Sequence, residues 1–181
     1  MKRVSIIGSG NVGTNTAFFV AEDGSAAVTL VDSKQGISTG KSLDLMEAGP
    51  LRGYDTGITG TDSIGKIAGS DVVIVAAGRV RRPGEQRVDL YAENSGTVRK
   101  ICKDIKEFAP QAVVINVVEP VDMITLLIQE VLELDRFKVL GVGGLLSATR
   151  LRFLVSQALH ISPREVTGLV VGPHRKSMVI L

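Results

Sequence analysis

Short apolar segments alternate with segments of helical periodicity along most of the chain. The apolar runs that predict strands lie at 4–7, 27–31, 71–76, 112–118, 138–142 and 166–171, with a shorter candidate around Ile58. Helical spacing of apolar residues predicts helices at about 12–22, 92–108, 121–134 and 145–160. Strands that are apolar throughout and separated by helices are typical of a parallel sheet covered on both faces. The pattern therefore predicts an α/β fold with a doubly wound, largely parallel sheet of six strands.

A run of small residues divides this pattern. Residues 141–144 read Gly-Val-Gly-Gly, and the complete βα alternation ends there. We expect residues 1–143 to form one complete domain and residues 144–181 to begin a second, α+β domain. The apolar ending at 178–181 is unusual for a chain terminus, which is usually polar and exposed. We therefore expect the second domain to be incomplete.

A glycine-rich motif joins the first predicted strand to the first predicted helix. It fits G-x-G-x-x-G and consists of Gly8, Ser9, Gly10, Asn11, Val12 and Gly13. Asp32 follows at the end of the next strand, 19 residues after Gly13. A strand, this motif, a helix and an acid at that distance together make the fingerprint of a dinucleotide-binding Rossmann domain.

Each part of the fingerprint has a physical role. Gly8 permits the tight turn, Gly10 lets a pyrophosphate approach the backbone, and Gly13 lets the helix lie close to the sheet. The helix N-terminus offers free N–H groups to the phosphates. Asp32 would accept hydrogen bonds from the adenosine ribose and repel a 2′-phosphate, so NAD is the predicted cofactor, although Lys34 could blunt the preference over NADP. The alternative is a tight βα turn with Asp32 capping a neighbouring element.

Composition narrows the class of protein. Apolar residues make up 44% and charged residues 22% of the chain, which is typical of a globular protein. A net charge of +2 gives no indication of nucleic-acid binding, and no apolar stretch is long enough to predict a membrane span. The single cysteine, Cys102, lies in a helical pattern and is expected to be a small buried hydrophobe. We expect a cytoplasmic protein without a metal site. The mean hydropathy of +0.24 suggests apolar surface that a partner or another domain would cover, and we expect a homo-oligomer.

A longer motif follows the strand at 71–76. Residues 77–90 read AGRVRRPGEQRVDL, and Asn94 follows shortly after them. This segment resembles the substrate loop of the malate/lactate dehydrogenase family, and Arg81 makes it more similar to the malate branch. The resemblance extends from Lys2 to Leu181. It implies an NAD-dependent 2-hydroxy acid dehydrogenase, with Asn94 among the cofactor-binding residues and a small dicarboxylate or 2-hydroxy acid as substrate.

The resemblance also implies four residues that act on the substrate. Arg81 would bind the distal carboxylate, Arg87 would polarise the reacting carbonyl, Arg150 would hold the C1 carboxylate, and His174 would donate and accept the proton. Planar guanidinium groups suit carboxylates, and histidine titrates near neutral pH. On composition alone, a solvated basic surface or a phosphate-binding patch would be the better explanation of the loop arginines. Only the joint match of the four residues in order and spacing favours the substrate roles.

The chain departs from the family's pattern in three respects. Glu119 and Ser147 replace the asparagine and the aspartate of the family, and two basic residues follow His174. Glu119 would place a negative charge in the substrate-binding region, and Ser147 would deprive His174 of a charged partner. Two hypotheses follow. One is a malate-type dehydrogenase, weak or inactive in this form, and the other is a non-catalytic NAD-binding or assembly module derived from such an enzyme.

Overall fold

The chain divides into two compact units. A computed structural model describes residues 1–172 and 177–181, so His174 lies outside the described residues. The first unit is Met1–Leu140 and the second is Gly141–Leu181. Among the described residues, no helix is both long and apolar enough to cross a bilayer.

The first unit is built around a sheet of six strands. The strands are β1 (Lys2–Ile7), β2 (Ala26–Val31), β3 (Ile58–Thr61), β4 (Val72–Val75), β5 (Val113–Asn116) and β6 (Val139–Gly141). Their order is β3-β2-β1-β4-β5-β6, and β1 pairs in parallel with both β2 and β4. The order reverses between β1 and β4, and ligands of such sheets bind outside the carboxyl ends of the strands at this reversal. The predicted doubly wound α/β fold is confirmed.

Helices cover both faces of this sheet. In the first unit these are α1 (Asn11–Asp23), α2 (Ile37–Arg52), α3 (Arg87–Phe108) and α4 (Val121–Leu132), with short 3-10 helices at Ile64–Ile67 and Arg136–Lys138. Helix α5 (Gly143–Leu159) belongs to the second unit. One buried cluster joins the sheet to α3 and α4, and another joins it to α1. Cys102 is fully buried in the first cluster, where burial raises the pKa of its thiol to about 11. The expected burial of this cysteine is confirmed.

Two helices differ from the elements predicted from the sequence. No element was predicted over α2, because Gly40, Gly49 and Pro50 weaken its helical signal and its buried positions are small residues rather than an apolar stripe. Helix α3 begins at Arg87, a turn earlier than predicted. Gln86 caps it, and the Gln86 backbone amide donates to Asp89 in a reciprocal capping box. Arg87 therefore lies on a helix and not in the preceding loop.

The second unit contains α5 and a small antiparallel pair of strands. The pair is β7 (Val170–Val171) and β8 (Val179–Ile180). The strand predicted over 166–171 was wrong except for its last two residues. The Arg152 guanidinium donates to the carbonyl oxygens of Val166 (2.6 Å) and Pro163 (3.1 Å), so the chain at Val166 bonds to a side chain. Backbone pairing begins at Leu169, which exchanges two hydrogen bonds with Leu181.

Candidate dinucleotide-binding site

The glycine loop begins where β1 ends and is held by its own close contacts. Gly8 has φ 105°, a left-handed conformation that favours glycine, and its amide donates to the Val31 carbonyl oxygen at 2.8 Å. A Cβ added to Gly8 would lie 2.6 Å from the Ala77 nitrogen, and one added to Gly13 would lie 1.8 Å from the Gly8 oxygen. The folded loop itself therefore requires glycine at both positions.

Gly10 is different, because the described residues leave space above it. Its backbone is extended, with φ −67° and ψ −174°, and an added Cβ would meet no described atom within 4 Å. The first hydrogen bond of α1 runs from the Thr14 amide to the Gly10 oxygen (2.9 Å), so the amides of Asn11, Val12 and Gly13 precede the helical ladder. The fold thus leaves an open cradle beside amides that are suited to an anion.

Asp32 is tied directly to this loop. Its Oδ2 accepts from the Ser9 amide (2.9 Å) and the Ser9 hydroxyl (2.7 Å), and its Oδ1 accepts from the Lys34 amide (3.0 Å). Burial alone would raise the pKa of Asp32, but these hydrogen bonds outweigh it and hold the pKa below its usual range. The carboxylate is therefore ionised at neutral pH and fixed at the carboxyl end of β2, next to the glycine loop.

Asn94 joins two loops at the same edge of the sheet. It is buried in α3, its amide nitrogen donates to the carbonyl oxygens of Arg79 (3.1 Å) and Glu119 (2.8 Å), and its Oδ1 accepts from the Arg79 amide (3.0 Å). The loop after β4 is thus connected to the loop after β5. Through this one side chain the structure brings together three predicted positions, Asn94, Glu119 and the start of the arginine-rich loop.

The arginine-rich loop is closed by an ion-paired network that the sequence patterns did not reveal. The Arg79 guanidinium binds both carboxylate oxygens of Glu85 and also Glu93. Its proximity lowers the pKa of Glu85 to about 2. The paired Arg79 shows that this segment is more than a row of solvated basic side chains. Arg81 lies exposed within the same loop.

The remaining predicted substrate residues lie at different places. Arg87, the first residue of α3, forms an ion pair with Asp122 in the first turn of α4 (2.5 Å). Glu119 is exposed after the end of β5. Arg150 is exposed and Ser147 half-buried on α5, in the second unit. In the part of the chain that is described, no group of three or more His, Cys, Asp or Glu residues is arranged to hold a metal ion.

Known proteins are similar to this chain in both sequence and fold. Residues 2–141 match the family described as lactate/malate dehydrogenase, NAD binding domain. A malate dehydrogenase from Methanosarcina mazei is 41% identical over the whole of this chain and 59% of its own length, and one from Bacillus pumilus is 41% identical over 99% and 58%. The chain therefore spans somewhat more than half the length of these curated relatives.

Solved structures agree with these matches. A Cryptosporidium parvum malate dehydrogenase superposes with a TM-score of 0.95 at 33% identity, covering 99% of this chain and 57% of its own. A lactate dehydrogenase from the same organism, complexed with lactic acid and NAD, gives 0.93 at 33% identity over 98% and 56%. The fold and the glycine loop define a Rossmann-type dinucleotide-binding protein. The chain belongs to the lactate/malate dehydrogenase family and carries its NAD-binding domain.

The residues present fit the cofactor of this family, NAD. The space above Gly10 and the amides of the first turn of α1 suit a pyrophosphate. The ionised Asp32 beside them suits the hydroxyl groups of a ribose. The strongest support comes from Gly10. The described fold does not itself require glycine there, because a side chain would have room, whereas a bound pyrophosphate would require it.

Proposed function

We propose that this chain provides the nucleotide-binding part, and the start of the substrate-binding part, of an NAD-dependent 2-hydroxy acid dehydrogenase of the malate type. The observation that carries the proposal is the open cradle at Gly10, connected through Ser9 to the ionised Asp32. In this proposal residues 1–143 bind NAD and residues 144–181 begin the substrate domain. The negative charge of Asp32 would repel the 2′-phosphate of NADP, which favours NAD.

In the proposed reaction, each residue that acts on the substrate has one role. Bound NAD would exchange a hydride with the carbon bearing the hydroxyl or keto group. Arg81, exposed on its closed loop, would bind the distal carboxylate of a dicarboxylate, and Arg87 would polarise the reacting carbonyl oxygen. Arg150 would hold the C1 carboxylate, and His174 would move the proton. The pairing of Arg87 with Asp122 supports an oriented guanidinium at the start of α3.

A second candidate is a non-catalytic NAD-binding or assembly module. Two residues favour it. Glu119 is exposed after β5, where its carboxylate would oppose an anionic substrate, and Ser147 offers a hydroxyl in place of a charged partner for the proposed proton donor. Loss of the charged partner in a comparable histidine-carboxylate pair costs about 10⁴ in rate. We therefore expect malate oxidation by this chain to be absent or very slow.

Replacing Glu119 with asparagine should strengthen the binding of oxaloacetate to the NADH-bound chain. Two unit charges 4 Å apart interact by about 1 kcal/mol at the dielectric of water, so an exposed carboxylate should weaken the affinity for a dianion by about fivefold. Oxaloacetate is titrated into the NADH complex of wild type and of Glu119→Asn while NADH fluorescence is followed. Glu107→Asn, an exposed position on α3, makes the same change of charge and serves as the control.

Two results would decide between the candidates. If Glu119→Asn and wild type bind oxaloacetate equally, Glu119 does not face the substrate and the proposed repulsion is wrong. If wild type oxidises malate at about 1 s⁻¹ or faster, an ordinary enzymatic rate, the non-catalytic candidate is wrong.

We also propose that the chain self-associates. Helix α5 exposes several large apolar side chains, namely Leu145, Leu146, Phe153, Leu154 and Leu159. Exposed apolar surface of this kind favours association, and copies of one chain most often pair symmetrically. Sedimentation velocity at micromolar concentrations should show a dimer or larger species, and Phe153→Ser should shift it toward monomer. A wild-type chain that sediments as a monomer throughout would contradict this proposal.

A further inference from the structure

A lysine outside the fingerprint contacts the glycine loop. Lys41 lies on α2, and its Nζ donates to the carbonyl oxygen of Ser9 at 2.5 Å. The Thr14 hydroxyl donates to the same oxygen at 3.0 Å. Ser9 is therefore held from both sides, because its amide and hydroxyl donate to Asp32 while its carbonyl accepts from Lys41 and Thr14.

The register of α2 places Lys41 at this point. One turn earlier, the Ser38 hydroxyl donates to the Thr61 oxygen at the end of β3 (2.8 Å). A Cβ added to Gly60 would lie 2.1 Å from the Ser38 oxygen, so glycine there lets α2 approach the sheet closely. With α2 fixed in this way, the side chain of Lys41 reaches the glycine loop, and the residue is half-buried.

The contact has a consequence for the amide that follows Ser9. In a planar trans peptide the carbonyl oxygen of one residue and the N–H of the next point in opposite directions. Holding the Ser9 oxygen toward Lys41 therefore directs the Gly10 N–H to the other side of the peptide. Because the carbonyl oxygen carries partial negative charge, the lysine also offsets negative potential beside the cradle.

We propose that Lys41 is a positioning residue for the pyrophosphate of the dinucleotide, acting through the Ser9–Gly10 peptide and through its positive charge. The inference rests on the proposed function, since it concerns the same cradle. In this proposal Lys41 acts on the phosphate groups that NAD, ADP-ribose and similar nucleotides share, whereas Asp32 binds the ribose. The loss of the lysine should therefore affect ligands with a pyrophosphate and spare adenosine.

The test compares lysine variants of the whole chain by calorimetry. Lys41→Met keeps most of the length of the side chain but removes its charge and its donors. Lys41→Gln, of the same length as methionine, removes the charge but keeps N–H donors. We expect both to weaken NAD and ADP-ribose by about fivefold, the size of the attraction between two opposite unit charges about 4 Å apart in water. Adenosine binding should be unchanged, and Lys41→Arg should recover most of the lost affinity. Lys103→Met, an exposed position on α3, changes the net charge equally and should have no effect.

The salt dependence of nucleotide affinity distinguishes a charge effect of Lys41 from a purely structural role. Screening weakens charge interactions within a Debye length of about 8 Å at 0.15 M salt. Added salt should therefore weaken ADP-ribose binding more in wild type than in Lys41→Met, while thermal unfolding of the two proteins without nucleotide stays similar. If Lys41→Met unfolds, the comparison of Lys41→Gln and Lys41→Arg carries the same test.

The outcomes separate this inference from the proposal beneath it. If wild type binds NAD and the neutral variants bind it equally well, Lys41 has no such role and the proposed function stands. The inference is also overturned if adenosine loses as much affinity as ADP-ribose, or if arginine restores nothing. If wild type binds neither NAD nor ADP-ribose, the proposed function fails and the inference fails with it.

Discussion

Alanine at Gly10 should leave the protein as stable as wild type and remove most of its NAD binding, whereas alanine at Gly13 should damage the fold itself. The backbone of Gly10 is extended and the described structure leaves space beside it, so an added methyl group strains nothing in the free protein. We expect its free energy of unfolding to change by less than about 0.5 kcal/mol. The same methyl group would stand where the pyrophosphate must approach the backbone.

Gly13 has the opposite environment. A Cβ there would lie 1.8 Å from the Gly8 oxygen, and this backbone atom can move only if the turn or α1 moves. Such overpacking costs about 3 kcal/mol. Urea denaturation and NAD titration of Gly10→Ala and Gly13→Ala measure the two effects separately. Equal stability of the two variants would show that the loop does not need glycine at position 13. Wild-type NAD affinity in Gly10→Ala would show that no phosphate approaches Gly10.

Replacement of Asp32 should change which dinucleotide the chain prefers. Hydrogen bonds to a charged group contribute about 1.5–3 kcal/mol, so Asp32→Ala should weaken NAD by about tenfold to a hundredfold. NADP should be weakened less or should gain affinity, because the repulsion of its 2′-phosphate disappears while Lys34 stays nearby. Asp32→Asn keeps the size and one acceptor oxygen, so it isolates the charge. Calorimetry with both dinucleotides gives the ratio of affinities, and an unchanged ratio in Asp32→Ala would contradict the assignment.

The low pKa of Asp32 also sets the direction of a pH effect. A carboxyl group whose pKa is depressed by folding stabilises the folded chain above its unfolded pKa, and this contribution is lost as the pH falls through the folded value. The discrimination between NAD and NADP should therefore persist throughout the neutral range. Only acid conditions that protonate Asp32 should weaken it.

The local geometry of the glycine loop could be predicted from the sequence because its parts are close together in the chain. The spacing of Gly8, Gly10 and Gly13 encodes one turn and one helix start, and Asp32 follows at the end of the neighbouring strand. In the structure Gly8 has a left-handed backbone, Gly10 has free space around an added Cβ, and Gly13 approaches the Gly8 oxygen closely. Their roles toward a dinucleotide stay predictions. The alternation of strands and helices likewise predicted the sheet, because its strands are buried on both faces.

The contacts that arrange the site could not be predicted in the same way. The apolar residues of α2 have no helical periodicity, so this helix was not predicted. The hydrogen bond from Lys41 to Ser9, 32 residues away, therefore could not be predicted either. Asn94 was expected at the cofactor, yet its three hydrogen bonds join two loops whose proximity depends on the strand order. The pair Arg87–Asp122 spans 35 residues and depends on the adjacent starts of α3 and α4.

We expect the glycine loop and Asp32 to bind NAD in preference to NADP. This preference is tested most directly by titrating each dinucleotide into the wild-type chain in a calorimeter at the same salt concentration and pH 7. We expect NAD to bind at one site per chain and NADP to bind more weakly. Equal affinity for the two dinucleotides, or no binding of either, would contradict the account.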